Sequence, residues 1–202
     1  DKALTLGARV TGLEGQLPDK RLLVNSHYHE ASAHLYGLGI HRATLCHVLT
    51  QKLSEYSSQI TWRMNHSVES FEEHNDEVQL FGSHQNQKFD ACFDGLLIAN
   101  GARSQLRPKA WVKVDQAYPW GAAWSIVPEC QVLDSEILHQ FYDRSKIMMG
   151  ILPTGAVPTE PQQRLSSVFW SLPTPKLQSF LQDEQAKQAW LKQVSERWPK
   201  VA

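Results

Sequence analysis

No apolar stretch in the sequence approaches the roughly 20 residues that a helix needs to cross a bilayer. Its first ten residues, DKALTLGARV, lack the basic and then apolar layout of a secretory signal. Cysteine is scarce: Cys46, Cys92 and Cys130 are three in number and far apart. That spacing excludes a disulfide framework and a CxxC metal knuckle, and it fits a reducing compartment with the thiols as small buried hydrophobes. The expected location is therefore cytoplasmic. Excess charge is missing too. With 20 Lys and Arg against 21 Asp and Glu, the net charge is -1, so no global field favours nucleic acid or an anionic membrane as partner. Repeats, low-complexity tracts and flexible linkers are also absent.

What is present is ordinary globular material. At 202 residues, with 42% hydrophobic and 20% charged side chains, the chain can bury a sizeable core as one domain or two small ones. ALTLGARVTGLEG and KRLLVNSHYH predict two short strands joined around Pro18 and Asp19. Leu45, Cys46, Val48, Leu49, Leu53 and Tyr56 then recur at spacings of three and four, which predicts a helix over 40–56. Three strand candidates follow, QITWRMNHSVESFEE, DEVQLFGS and KFDACFDGLLIAN, with SHQNQ as a turn. The last alternates through Phe89, Ala91 and Phe93 and becomes continuously apolar from Leu96, as an interior strand buried on both sides would. In the second half, AYPWGAAWSIVP, KIMMGILPTG and RLSSVFWSLP read as one antiparallel sheet. Thr174-Pro175 supplies an N-cap and a first-turn proline for two helices broken near Asp183 and ended by Pro199.

Few residues carry a chemical signal. HYHE puts His27 and His29 on one strand face near His34, but a structural zinc wants four ligands and no cysteine pair supports them, so these read as polar edge histidines and no metal is expected. Gly37-x-Gly39 precedes a helix, yet Arg42 stands where a dinucleotide fingerprint has its third glycine, and a glycine turn entering a helix is the simpler reading. Ser125, Ser166 and Ser171 have no G-x-S-x-G setting for acyl transfer. The remaining signal is DGLLIANGARSQLRP at 94–108. An interior strand ending at Asn-Gly exposes backbone N–H groups where ligands of layered folds gather, but Asn-Gly is equally the commonest hairpin turn. Local residues leave both readings open.

FDGLLIANGARSQLR resembles the second motif of the class A FAD-dependent aromatic hydroxylases, the group of p-hydroxybenzoate and ubiquinone-pathway hydroxylases, with Asp94, Ala99, Gly101, Ser104 and Arg107 in register. His41, Arg42 and Leu45 resemble the HRxxL segment that opens a helix beside the flavin in that family. PWGAAWSIVP, MMGILPTG and SVFWSLP resemble its substrate-domain strands, so the likeness spans about 37–175. Two positions depart from the pattern. Asn100 replaces an aspartate and loses its charge, and Ile98 replaces a glycine that lets the backbone approach the cofactor. The family's opening G-x-G-x-x-G and closing Gly-Asp motifs do not occur in these 202 residues.

The resemblance implies an α/β (α+β) fold: part of a glutathione-reductase-type FAD-binding domain plus an antiparallel substrate-domain sheet with C-terminal helices. It implies a substrate-binding sheet from 1–36 and 108–175, a partial FAD-binding domain at 37–107 and a helical segment at 176–202. The implied function is the middle portion of an FAD-dependent monooxygenase that hydroxylates an aromatic or related small molecule with NAD(P)H and O2. Arg42, Asn100 and Gly101 are the implied cofactor-binding residues, and Trp120, Trp124 and Phe169 the implied walls of an aromatic substrate pocket. No catalytic acid or base is identified. The alternatives are a flavin-dependent halogenase, dehydrogenase or reductase on the same scaffold, or a non-catalytic flavoprotein remnant or binding module.

Overall fold

A computed structural model describes residues 2–129, 131–144 and 146–199 and divides the chain into two units, Asp1–Glu55 with Tyr118–Ala202, and Tyr56–Ala117. In chain order the elements are α1 (Lys2–Leu6), β1 (Ala8–Val10), β2 (Gly12–Gln16), β3 (Leu22–His27), β4 (Gly37–Gly39), α2 (Arg42–Ser54), β5 (His66–Glu73), β6 (Val78–His84), β7 (Gln87–Phe93), β8 (Trp120–Pro128), β9 (Ile137–Asp143), β10 (Ile147–Val157), β11 (Glu160–Pro173), α3 (Thr174–Gln182) and α4 (Glu184–Arg197). The mixed α/β class expected from the sequence is the one observed.

The first unit is built on a six-stranded sheet of order β3-β2-β9-β10-β11-β8. The expected antiparallel group appears as β10-β11-β8; of the expected amino-terminal hairpin only β2-β3 appears, because Lys2–Leu6 is helix α1 and Ala8–Val10 pairs with β4 instead. The β2-β3 turn closes through Leu17 N–H donating to Arg21 O at 2.9 Å, with Lys20 left-handed at φ 69 and Asp19 accepting from Arg21 Nε at 2.7 Å. That guanidinium holds the Asp19 carboxyl below its ordinary pKa. β9 is a strand the sequence reading passed over, and it joins the two halves by pairing parallel with β2 and antiparallel with β10.

Alternation along β11 sends Val168, Trp170 and Leu172 to one face of the sheet, where Phe141, Met149, Ile151, Trp170, Val194 and Trp198 form the core. α3 and α4 cover that face. Asp183 separates them as expected, its side chain accepting from Gln185 N–H at 2.9 Å to cap α4. Thr174 is already inside α3 and its hydroxyl donates to Tyr118 O at 3.1 Å instead of capping. The indole N–H groups of Trp170 and Trp190 are buried without a hydrogen-bond partner, their rings 5.8 Å apart.

Two expectations for this unit are corrected. Gly37–Gly39 is not a turn but a short strand paired with β1. The helix lies where the period put it, but its apolar stripe does not face a core. Leu45, Leu49 and Leu53 are 41%, 54% and 38% exposed, and the one buried residue is Thr44, whose Oγ1 donates to Ala156 O at 2.8 Å. A 3.6-residue period specifies a helix with an apolar side; it does not supply a partner for that side. Cys46 on this helix is exposed for the same reason, Cys92 is exposed on the edge strand β7, and Cys130 lies outside the described residues. Partial desolvation of the Cys92 thiol, with Glu77 beside it, raises its pKa.

The second unit is the meander β5-β6-β7. Gln85 and Asn86, both left-handed (φ 49 and 66), make the two-residue turn between β6 and β7 where the polar turn was expected. β7 ends at Phe93, and the apolar run after it is not an interior strand. Residues 95–99 pair with no strand and Leu97 is 95% exposed. Four apolar residues make a buried strand only where neighbouring strands flank them, and among the described residues none does.

Candidate functional site

The motif at 94–108 closes on itself by local hydrogen bonds in the second unit. Ser104 N–H donates to Gly101 O at 3.1 Å, and the Ser104 hydroxyl accepts from Leu106 N–H at 3.2 Å, so the serine shapes the turn. Arg107 reaches back to Asp115 at 3.2 Å. The Asn100-Gly101 step is not a hairpin turn, because no strand follows it in pairing. Gly101 has φ +90, and nothing lies within 4 Å of where a side chain would begin, so the backbone there is open to close approach. Gly101, Ser104 and Arg107 line a cavity of about 440 Å³ together with Phe71, Ile98 and Trp111. Asn100 is exposed beside it.

Arg42 lies in the first unit, as the first residue of α2. This helix start is fixed to the sheet: His41 N–H donates to Thr154 O at 3.0 Å, the His41 Nδ1 accepts from Ala43 N–H at 3.2 Å, and Thr44 anchors the next turn. The Arg42 side chain is exposed, and among the described residues no ion pair engages it. A free guanidinium at a helix N-terminus is chemically suited to phosphate or ribityl oxygens. Each unit thus offers one feature open to a ligand: an open glycine backbone at Gly101 in the second and an unpaired guanidinium at Arg42 in the first.

The aromatic candidates lie on the sheet face opposite the core. Trp124 is directly across from Phe169, their ring centroids 5.1 Å apart. Trp120, four residues earlier on β8, shares that face by alternation. Phe169 lies over Gly150, where a Cβ would come within 2.3 Å of its ring, so only glycine leaves room for the aromatic there. Trp124 is 64% exposed and presents a flat ring to solvent.

Sequence reasoning missed the polar pair on the same face. Gln140 is across from Gly150 and Tyr142 from Met148, and the Tyr142 hydroxyl donates to Gln140 Oε1. Burial raises the Tyr142 pKa. ILHQFYD, with polar and apolar residues in adjacent pairs, gave no alternation that would have announced the pair. The lining residues Phe71 and Trp111 had no signal either, because β5 and the 3-10 turn 109–111 meet the motif only in the folded unit. His27 and His29 lie 5.2 Å apart, with His27 Nε2 hydrogen-bonded to Asn25 at 2.9 Å. Among the described residues no group of three or more His, Cys, Asp or Glu could hold a metal, and no helix is long and apolar enough to cross a membrane.

No family model and no curated protein matches the chain. Solved structures do. The crystal structure of p-nitrophenol 4-monooxygenase PnpA from Pseudomonas putida DLL-E4 is similar with a TM-score of 0.68 at 14% identity, over 89% of this chain and 46% of that one. The flavin-dependent halogenase CmlS is similar with a TM-score of 0.67 at 16% identity, over 96% of this chain and 34% of that one. A flavoprotein/dehydrogenase from Cytophaga hutchinsonii is similar with a TM-score of 0.68 at 11% identity, over 95% and 47%. The chain therefore has a fold found in flavin-dependent oxidoreductases, and it spans less than half the length of each of these three.

Proposed function

We propose that the chain is the central part of an FAD-dependent monooxygenase that hydroxylates an aromatic or related small molecule with NAD(P)H and O2. The observation that carries this reading is the Gly101 turn. A motif in register with the class A hydroxylases folds into an open, left-handed glycine on the wall of a cavity, within a fold that flavin enzymes share. In this reading Arg42 holds nucleotide oxygens by charge, Gly101 admits the cofactor to its backbone, and Asn100 offers a carbonyl oxygen and an amide. Bound flavin supplies the redox chemistry. Trp120, Trp124 and Phe169 form the wall against which a planar substrate stacks. The sheet from 1–36 and 108–175 is then the substrate-binding part, 37–107 part of the FAD-binding domain, and 176–202 the helical segment.

Two surfaces support the view that this is part of a larger flavoprotein. The leucines of α2 in the first unit and the unpaired run around Leu97 in the second are exposed apolar surfaces of the kind that further chain covers. A second reading, a halogenase or dehydrogenase on the same scaffold, is favoured by the likeness to CmlS and to the Cytophaga protein. A third, a remnant that no longer holds FAD, is favoured by Asn100 and Ile98 in place of the motif's Asp and Gly.

Absorbance of the natural full-length product after denaturation tests the flavin directly. A released flavin spectrum, with NAD(P)H consumed and an aromatic gaining one oxygen, is the expected result. Halide-dependent product would replace hydroxylation with halogenation, and absence of flavin would leave the remnant. Arg42→Ala should lower flavin retention about 10-fold or more; unchanged occupancy removes Arg42 from the site.

A further inference from the structure

The free edges of the six-stranded and three-stranded sheets are protected differently. β5 and β7 border the three-stranded sheet and carry Glu69, Glu72 and Glu73 on one side and Lys88 and Asp90 on the other. Such charges discourage pairing with another chain. β8 borders the six-stranded sheet, pairs among the described residues only with β11, and reads WGAAWSIVP, nine residues without a charged side chain. The opposite border, β3, is shorter at six residues and ends in Asn25, Ser26 and His27. Trp124 and Ile126 of β8 are 64% and 44% exposed on one face of the sheet. On the other face, Ala123 and Ser125 border a groove of about 370 Å³ whose far wall includes Phe180 and Leu191. A long, uncharged, apolar free edge is what association by strand addition requires, and what a monomer ordinarily avoids.

We propose that β8 pairs antiparallel with β8 of a second copy of this chain, about a two-fold axis at Trp124. The strand is complementary to itself in that register. Trp124 meets its own counterpart, Ala122 meets Ile126 of the second copy, and Ala123 meets Ser125 of the second copy. Directly opposite residues share a face. The aromatic pair and the Ala–Ile pairs therefore continue the apolar face across the junction and leave that face open, while the small residues meet beside the groove. No like charges are opposed at any position. A charged peptide would find no complementary group along this edge, whereas an identical strand satisfies it symmetrically. The two six-stranded sheets become one continuous sheet.

Sedimentation velocity of the 202-residue chain over a range of concentrations, combined with amide exchange resolved to β8, tests the proposal. The expected result is a dimer whose β8 amides not bonded to β11 exchange more slowly as concentration rises. Ile126→Lys places a cation against Ala122 of the second copy at both symmetry-related positions and should weaken the dimer about 10-fold. A chain that stays monomeric, or a dimer whose β8 amides exchange at the same rate at every concentration, overturns the proposal. Should Ile126→Lys fail to fold, the exchange measurement on the parent chain decides. Flavin content is read separately, so the failure of either proposal leaves the other standing.

Discussion

The two units treat their apolar residues in opposite ways. In the first, six hydrophobic residues, five from β9, β10, β11 and α4 and Trp198 just after α4, fall to between 2% and 7% exposure in a single cluster. In the second, no hydrophobic residue is fully buried among the described residues; Phe71, Leu80, Phe81 and Phe89 are half-covered, while Trp111 and Val114 are 67% and 79% exposed. The second unit nevertheless carries the most specific motif of the sequence. Its loop is held by turns and local hydrogen bonds, and its three strands have one layer and nothing of their own to pack beneath it. The buried core therefore lies in the first unit and the most specific sequence motif in the second.

That contrast predicts a ranked set of mutational effects. Trp170 is 3% exposed in the core, so Trp170→Ala should cost about 3–5 kcal/mol in chemical denaturation of the first unit. A loss under about 1 kcal/mol would mean that the cluster is not the unit's support. Thr44→Val removes the hydroxyl that tethers α2 and strands Ala156 O, at an expected cost of about 1–3 kcal/mol. Leu49→Ser on the same helix should cost less than that, because Leu49 is 54% exposed; the reverse ranking would show the apolar stripe already covered in the isolated chain. Leu97→Ser should change stability by no more than about 0.5 kcal/mol, since the side chain is 95% exposed. A larger loss would show that the run at 95–99 packs in solution and would narrow the difference between the units.

Much of the local structure was legible. Alternation and helical spacing located the β2-β3 hairpin, α2, the strands β5 to β8, β10 and β11, and the break at Asp183. Each of these is written in neighbouring residues. β9 was missed because ILHQFYD mixes polar and apolar side chains, and its partners come from both ends of the chain. The burial of α2, of Cys46 and of the Leu96–Ala99 run was misread because an apolar side chain does not say whether another element will cover it. Of the candidate site, Asn-Gly announced a turn and Gly101 took the left-handed conformation that glycine permits. The cavity walls Phe71 and Trp111, and the Gln140–Tyr142 pair, were not legible as a set.

By itself, then, the sequence determined periods, turns and one motif in register, because these depend on residues a few positions apart. Only the tertiary structure decided that β2 runs parallel beside β9, that Thr44 and not a leucine anchors α2, and that Phe169 lies over Gly150. Those outcomes depend on close packing between distant segments, where a single hydroxyl or a missing Cβ selects one arrangement over its alternatives.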